Sequence, residues 1–558
     1  MPDAPDTRRR IVLRAPHAGG LVVGVAFAML AMTPSLLPRG WLFQGVVSGI
    51  SAAIGYAVGV TAAWALRRWG RWRRLTAAVD ARTPDRARPW VVPALCVAGV
   101  GAVLLMLAVG ARWQRELAES MGAAPTTASG WLRAAPVLIL LAVVLVLLAR
   151  VVRALARAVA RVLRRRLRLP RLVAAGVAAV LVGLGVLVVV NDFLLAQALS
   201  AVDQVFKVAN TEDDGADQPE SAARSGSAES LVDWDGLGRE GRRFVTRGPS
   251  PEALAAAGAD TEPIRVYTGL DNADGPEARA DLAVAELERT GAFDREVLLV
   301  VTTTGSGWVN EAAVEPVELM YGGDTATVAS QYSYLPSWLS FLVDRGRAAD
   351  EAQALFAAVE ARIDALPADD RPRLLVYGES LGSYGSETVF GSLADIRART
   401  DGVLWVGPPN SNALWRALVD RRDPGTPQVA PVYADGLVVR FADAVADVEV
   451  PDTPWEDPRV LYLQHRSDPI VWWAPGLLVD QPDWLAEPAP AGDGPTMTWY
   501  PVVSFWQVTC DLVYAKEVPD GYGHNYDTQL ADAWVEVAAP DGWDEAATAR
   551  LHEALAAG

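Results

Sequence analysis

Two textures of hydrophobic patterning divide the chain. Up to about residue 200, apolar positions come in five long stretches, roughly 18–37, 43–66, 90–111, 131–152 and 172–198. Each holds about the 20 residues a helix needs to cross hydrocarbon, which predicts an all-α transmembrane bundle of about five helices. The first stretch follows a basic N-terminus, as a secretory signal would. It runs on into Pro34 and Pro38 without an Ala-x-Ala site, and four more stretches follow, so it reads as an uncleaved anchor. Beyond residue 230 the apolar runs shorten to 264–267, 297–301, 373–377, 403–406 and 460–463, alternating with helical patterns at 275–290 and 350–366. Continuous apolar runs between helices predict a buried, mostly parallel sheet in a doubly wound α/β domain. The expected organisation is a membrane domain over 1–199, a flexible small-residue linker over 200–230 and this α/β domain over 231–558. The proline-rich, weakly periodic residues 409–457 are expected to form a cap insertion within it.

Charge follows the same division. Residues 1–200 carry 25 arginines against 7 acids, a net of +18; the remainder carries 25 basic and 60 acidic residues, a net of −35. Halves so unlike in charge suit different surroundings. Within the first half, four arginines lie before the first stretch, eight in 67–89 and nine in 150–171; the turn at Arg39 has one and 112–130 has two. Alternate loops are therefore basic, which predicts a plasma-membrane protein with a cytoplasmic N-terminus and everything after the fifth span outside. Trp41, Trp90 and Trp131 stand at span entries, as an interfacial belt requires. Gly45/Gly49 and Gly55/Gly59 permit close helix contacts, expected inside the bundle. Seven arginines at helical spacing from Arg150 to Arg171 make a stripe suited to anionic headgroups, and no nucleic-acid partner is expected. Asp192 falls at the outer edge of the last span, where water access accounts for it.

Chemistry concentrates at one break. The apolar run 373–377 ends in Gly378-Glu379-Ser380-Leu381-Gly382, the Gly-x-Ser-x-Gly pattern of a strand-to-helix turn that exposes a serine hydroxyl at the head of a helix. A nucleophilic serine needs a base, and the base needs an acid to orient it. Two histidines lie between Ser380 and the C-terminal helix. His524, in the glycine-flanked loop 521–526, suits the base, while His465 ends an apolar run and suits a packing role. Asp468 follows that run directly and suits the acid; Asp457 precedes the run and Asp452 lies in the expected cap. The backbone N–H of Leu381 would bind an oxyanion, with a second donor from the glycine-bearing loop 302–308, where Ser306 is the expected residue. Cys96 and Cys510 fall one in each half, so no disulfide framework is expected, and four histidines in the whole chain make a multi-histidine metal site improbable. No cofactor is called for.

Several segments together resemble a bacterial α/β-hydrolase family, common in actinobacteria, in which the catalytic domain follows a multi-span membrane domain. They are Thr33-Pro34-Ser35-Leu36-Leu37-Pro38-Arg39, Gln44-Gly45, Gly55-Tyr56, the run 302–308, Tyr332-Ser333-Tyr334-Leu335-Pro336-Ser337-Trp338, the run 378–382, the run 464–469 and Gly523-His524. The resemblance covers nearly the whole chain except the linker and implies a serine hydrolase in a membrane protein. The expectation is an esterase- or lipase-like enzyme, or an acyltransferase, acting on an acyl ester of a lipid or cell-envelope component, with membrane lipids as its surroundings. Thirteen of the 20 tryptophans lie beyond residue 230, and Trp472 and Trp473, close to Asp468, could line an acyl pocket. The competing readings are a transport or scaffold protein with a vestigial hydrolase domain, and a serine peptidase.

Overall fold

The computed structural model describes residues 16–68, 88–125, 127–191, 206–210, 215–259, 261–336, 339–341, 345–488 and 496–557. Asp192 lies outside them. The chain forms two compact units. One comprises residues 1–200 with 475–514, the other 201–474 with 515–558.

In the first unit the expected stretches are helical: α1 (Ala18–Leu30), α2 (Trp41–Arg68), α3 (Arg88–Ser120), α4 (Ala134–Arg166) and α5 (Arg171–Val188). Four of them, α2 to α5, are long and apolar enough to cross a membrane. The helix α1 is not. At 13 residues it spans about 20 Å, because the chain turns before Pro34, where the Thr33 hydroxyl donates to the Leu30 carbonyl at 2.7 Å. The two glycine pairs of α2 serve different neighbours. A Cβ on Gly59 would stand 2.3 Å from the Gly19 carbonyl oxygen of α1, and one on Gly45 would stand 2.9 Å from the Ala134 carbonyl oxygen of α4. Backbones thus touch on both faces of α2, inside the bundle.

Residues 475–514 are an insertion that the sequence pattern did not disclose. Their helix Val503–Asp511 packs on the first unit, with Val503 and Cys510 against Ala31 and Val47. The loop between α1 and α2 clasps its end. Arg39 Nε lies 3.3 Å from Asp511 Oδ1, the Ser35 hydroxyl donates to Asp511 Oδ1 at 3.1 Å, and the Leu36 N–H donates to Oδ2 at 3.2 Å. Arg39 and Asp511 are fully buried. Burial raises the Asp511 carboxyl to about 6, against the opposing pull of Arg39.

The second unit is built on a seven-stranded sheet in the order β1-β3-β2-β4-β5-β7-β6, every pair parallel. The strands are β1 (Ile264–Thr268), β2 (Val297–Thr302), β3 (Thr325–Ser330), β4 (Arg373–Glu379), β5 (Gly402–Val406), β6 (Val439–Ala442) and β7 (Arg459–Leu463). Helices α6 (Pro276–Thr290), α7 (Glu311–Met320), α8 (Arg345–Asp364), α9 (Leu381–Glu387), α10 (Ala413–Val419), α11 (Leu530–Ala538) and α12 (Glu545–Ala557) accompany them. The central strands are buried on both faces, which is why they read as unbroken apolar runs. The register aligns their carboxyl ends, pairing Thr302 with Gly378, Glu379 with Val406, and Val406 with Leu463.

Two boundaries differ from the sequence expectation. Residues 223–225, expected as linker, dock beside β1: the Arg265 N–H donates to the Ala223 carbonyl and the Ser225 N–H to the Arg265 carbonyl, both at 3.1 Å. The small residues there admit close packing, as Gly226 does against Trp234 and Leu237. Residues 409–457, expected as a cap, supply the edge strand β6 and α10. Arg440 interrupts the apolar run of β6 and obscured it. Its guanidinium is satisfied by the Gly436, Val448 and Thr453 carbonyls and lies 4.9 Å from the centre of the Trp455 ring.

Candidate active site

The site residues hang from the aligned carboxyl edge of the sheet. Between β2 and β4 the strand order reverses, since β3 and β1 extend one way from β2 and the later strands extend the other, the point at which sheets of this kind place their ligand sites. From β4 the chain turns sharply into α9 through Ser380, at φ 56° and ψ −125°. A non-glycine residue adopts this strained conformation only where its surroundings impose it. The surroundings here are crowded. A Cβ on Gly378 would meet the Gly382 carbonyl oxygen at 2.7 Å, and one on Gly382 would meet the Thr302 carbonyl oxygen at 2.3 Å. The Ser380 N–H donates to the Val406 carbonyl at 2.8 Å, which ties the turn to the end of β5.

Directly after Val406 comes Gly407, at φ +54°. A Cβ there would stand 2.3 Å from His524 Cε1, 2.6 Å from its Nδ1 and 3.1 Å from Asp468 Oδ2. The imidazole therefore packs closely against this glycine, beside the peptide that holds Ser380. Gly407→Ala is expected to push the ring aside and lower turnover by about 10² while thermal unfolding shows a folded domain, because a displacement near 1 Å at reacting groups costs that much.

His524 is buried, and its Nδ1 is 2.6 Å from Asp468 Oδ2. Asp468 emerges after β7 and is wholly buried. Its Oδ1 accepts the Ile470 N–H at 2.8 Å, and its Oδ2 also accepts the Tyr526 hydroxyl at 2.7 Å. Burial first, and then Asp468, raise the Tyr526 hydroxyl well above its usual range, so it stays a donor. On the other side of the ring His524 Nε2 is buried and makes no hydrogen bond among the described residues. A buried ring nitrogen with no partner is costly unless another molecule or a moving side chain supplies one.

His465 is placed otherwise. Its Nδ1 is 2.9 Å from the Gly523 carbonyl oxygen, its Nε2 2.8 Å from the Gln529 amide nitrogen, and its ring stacks on Tyr526 at 3.9 Å. Burial lowers its pKa, so the neutral ring donates from Nδ1 and accepts at Nε2. Both nitrogens are committed to holding the loop that carries His524. Asp457 and Asp452 are exposed, Asp457 ahead of β7.

Leu381 is buried and opens α9, so its N–H is among those with no carbonyl partner inside the helix. Ser306 sits in the turn after β2, where its carbonyl accepts the Gln331 amide at 2.8 Å. The neighbouring Trp308 carries the Lys516 ammonium 4.5 Å from its ring centre, and that ammonium is 2.9 Å from Glu379 Oε1. Glu379, between Gly378 and Ser380, went unremarked in the sequence. It is buried, accepts the Asn310 amide at 2.8 Å and the Tyr377 hydroxyl at 3.1 Å on Oε2, and its Oε1 lies 4.0 Å from His524 Nε2. Burial would raise its carboxyl, but Lys516, His524 and the hydrogen bonds from Lys516 and Asn310 hold it below the usual range. It is thus an anion close to the ring, neutralised by Lys516. Its position beside Ser380 was the only cue, because Lys516 is remote in sequence.

Tyr332, Phe341 and Ala348 pack with Leu381, and Tyr384 and Trp473 lean on them. Trp472, by contrast, is core. It is fully buried, donates to the His465 carbonyl at 3.0 Å and lies edge-on to Trp415.

Residues 264–551 match the family model described as an alpha/beta-hydrolase family, and residues 32–249 match the model of that family's N-terminus. The chain belongs to this alpha/beta-hydrolase family. No match was found among curated proteins or among solved structures. The family assignment suggests hydrolase activity, and the four long apolar helices suggest membrane association. In this alpha/beta-hydrolase the strand–turn–helix at Ser380, the His524–Asp468 pair and the loop after β2 all lie at one sheet edge.

Proposed function

We propose that this alpha/beta-hydrolase is a membrane-anchored serine hydrolase that cleaves or transfers an acyl ester. The observation that carries the reading is the state of His524: one ring nitrogen held by a buried carboxylate at 2.6 Å, the other buried and unpartnered among the described residues, beside the strained turn at Ser380. That is the arrangement of a general base oriented by an acid. Ser380 Oγ attacks the ester carbonyl carbon as His524 Nε2 takes its proton. Asp468 holds the imidazolium that forms, and the carbonyl oxygen, now an oxyanion, sits on the Leu381 N–H and a donor from the loop of Ser306. The proton then passes from His524 to the leaving alcohol, and water or a second alcohol releases the acyl group by the same steps in reverse. Leu381, next to Ser380, packs in an apolar cluster with Phe341, Tyr384 and Trp473, surroundings that favour an acyl group over a charged one.

A fluorophosphonate probe tests the reading, since its phosphorus forms a stable bond only with an activated serine. Full-length protein is expected to label at Ser380, and Ser380→Ala to remain unlabelled. A folded wild type that fails to label would overturn the enzyme and leave a scaffold carrying a vestigial domain. Labelling combined with cleavage of amides in preference to esters would turn the reading to a peptidase.

The arginine asymmetry supports a plasma-membrane location with the catalytic unit outside, acting on a lipid or cell-envelope ester. A reporter active only outside the cytoplasm is expected to be active when fused after residue 230 and silent after residue 80. The reverse result would move the substrate to the cytoplasmic side.

A further inference from the structure

The first unit holds a cavity of about 430 Å³ among α1, α2, α3 and α4. Of the described side chains that line it, only those of Tyr56, Cys96 and Arg150 are polar, and none of these described residues is acidic. The wall on α1 is cut low by Gly20, Gly24 and Ala28, spaced four apart and therefore on one helix face. The wall on α4 runs from Ala135 to Arg150, about 22 Å at 1.5 Å per residue. That length exceeds one leaflet of hydrocarbon, roughly 15 Å, and falls short of the full core, roughly 30 Å.

The two ends differ. At one end Arg150 Nη2 donates to the Tyr56 hydroxyl at 3.3 Å, and that hydroxyl accepts the His17 N–H at 3.0 Å. Arg150 also opens the arginine stripe of α4, so this is the end at which a headgroup region is expected. The other end, toward Ala28, Ala135 and Leu138, is wholly apolar. We propose that this cavity binds one anionic phospholipid of the leaflet on the Arg150 side, with an acyl chain in the slot and the phosphate beside Arg150. The proposal rests on reading these helices as membrane spans; it is independent of the serine chemistry.

Length and lining choose this occupant: a slot longer than one leaflet and apolar except toward its Arg150 end suits an extended hydrocarbon chain with a polar head. With a cation at its mouth and no carboxylate among the described lining residues, a headgroup of net negative charge is favoured over a zwitterion that would bring its own cation against Arg150.

Native mass spectrometry of delipidated full-length protein in dodecylmaltoside, titrated with phosphatidylglycerol or phosphatidylcholine of the same acyl chains, tests it. One phosphatidylglycerol is expected to be retained, about fivefold more tightly than phosphatidylcholine, from the value of one cation near a headgroup. Arg150→Gln is expected to erase that preference. Ala142→Phe, which places a ring in the slot from the partly exposed middle of its α4 wall, is expected to lower retention of both lipids. Thermal unfolding of both variants in the same detergent, compared with wild type, serves as the check that they fold. Equal retention of the two lipids by wild type, or undiminished retention by Ala142→Phe, would overturn the site. Retention of oleate with the same Arg150 dependence, in place of phosphatidylglycerol, would overturn the phospholipid as occupant.

Discussion

His524→Ala is expected to lower turnover by about 10⁶, the loss seen when a base that acts as one unit with its serine is removed. His465→Ala should cost far less, although the two histidines flank the same tyrosine. The difference lies in what each ring can do. His524 offers a buried Nε2 with no partner among the described residues, whereas both nitrogens of His465 are occupied, by the Gly523 carbonyl and the Gln529 amide. Loss of the His465 ring removes the stack under Tyr526 and loosens the loop, an effect expected in thermal stability before turnover. Steady-state hydrolysis of a short-chain nitrophenyl ester by both variants decides between them. Exchanged magnitudes would mean that the loop 521–526 had been assigned the wrong task.

Asp468→Asn is expected to cost about 10⁴ in turnover with little change in substrate affinity, some 5.5 kcal/mol of transition-state stabilisation. The carboxylate accepts from His524 Nδ1, and so fixes the tautomer that leaves Nε2 able to take the serine proton. An amide presents either an oxygen or an N–H to that nitrogen, and here its choice is constrained. Tyr526 and the Ile470 N–H are both donors and already claim acceptor sites on the two oxygens. An asparagine nitrogen must therefore face one donor or the other, and facing Tyr526 and His524 it would turn the ring to the unproductive tautomer. Tyr526→Phe with Asp468 intact keeps the carboxylate and is expected to cost only about tenfold. If Asp468→Asn were close to wild type in kcat, the orienting role would belong elsewhere.

The sheet was legible where burial on both faces left an unbroken apolar run, and five of its strands were visible for that reason. β3 escaped because its sequence is Thr-Ala-Thr-Val-Ala-Ser, too small and polar to stand out until its neighbours bury it. β6 escaped because Arg440 breaks its pattern and is satisfied only by carbonyls from the surrounding loops. Order and position after strands singled out Ser380, Asp468 and His524 as candidates, and the structure brings the last two within 2.6 Å of each other. The network around Glu379 could not be read in that way. Asn310, Glu379, Lys516 and Asp527 meet from four separate stretches, with Asn310 donating to both Glu379 and Asp527 at 2.8 Å, and no local pattern encodes such a convergence. The insertion was hidden for another reason. The helix Val503–Asp511 looks like any short amphipathic segment, and its partners at Ala31, Val47 and Arg39 lie more than 450 residues earlier.

That insertion makes the chain's two halves inseparable by a single cut. Residues 475–514 fall between Asp468 and His524 in sequence yet fold with the membrane-side unit. A soluble fragment begun at residue 201 would keep both members of the pair but strand the helix Val503–Asp511, stripping Val503 and Cys510 of their apolar cover and Asp511 of its arginine. The N-terminal fragment would lose the same helix and leave Arg39 buried without its counter-ion. For heterologous production the practical unit is the whole polypeptide, or a catalytic fragment in which 475–514 is replaced by a short polar loop.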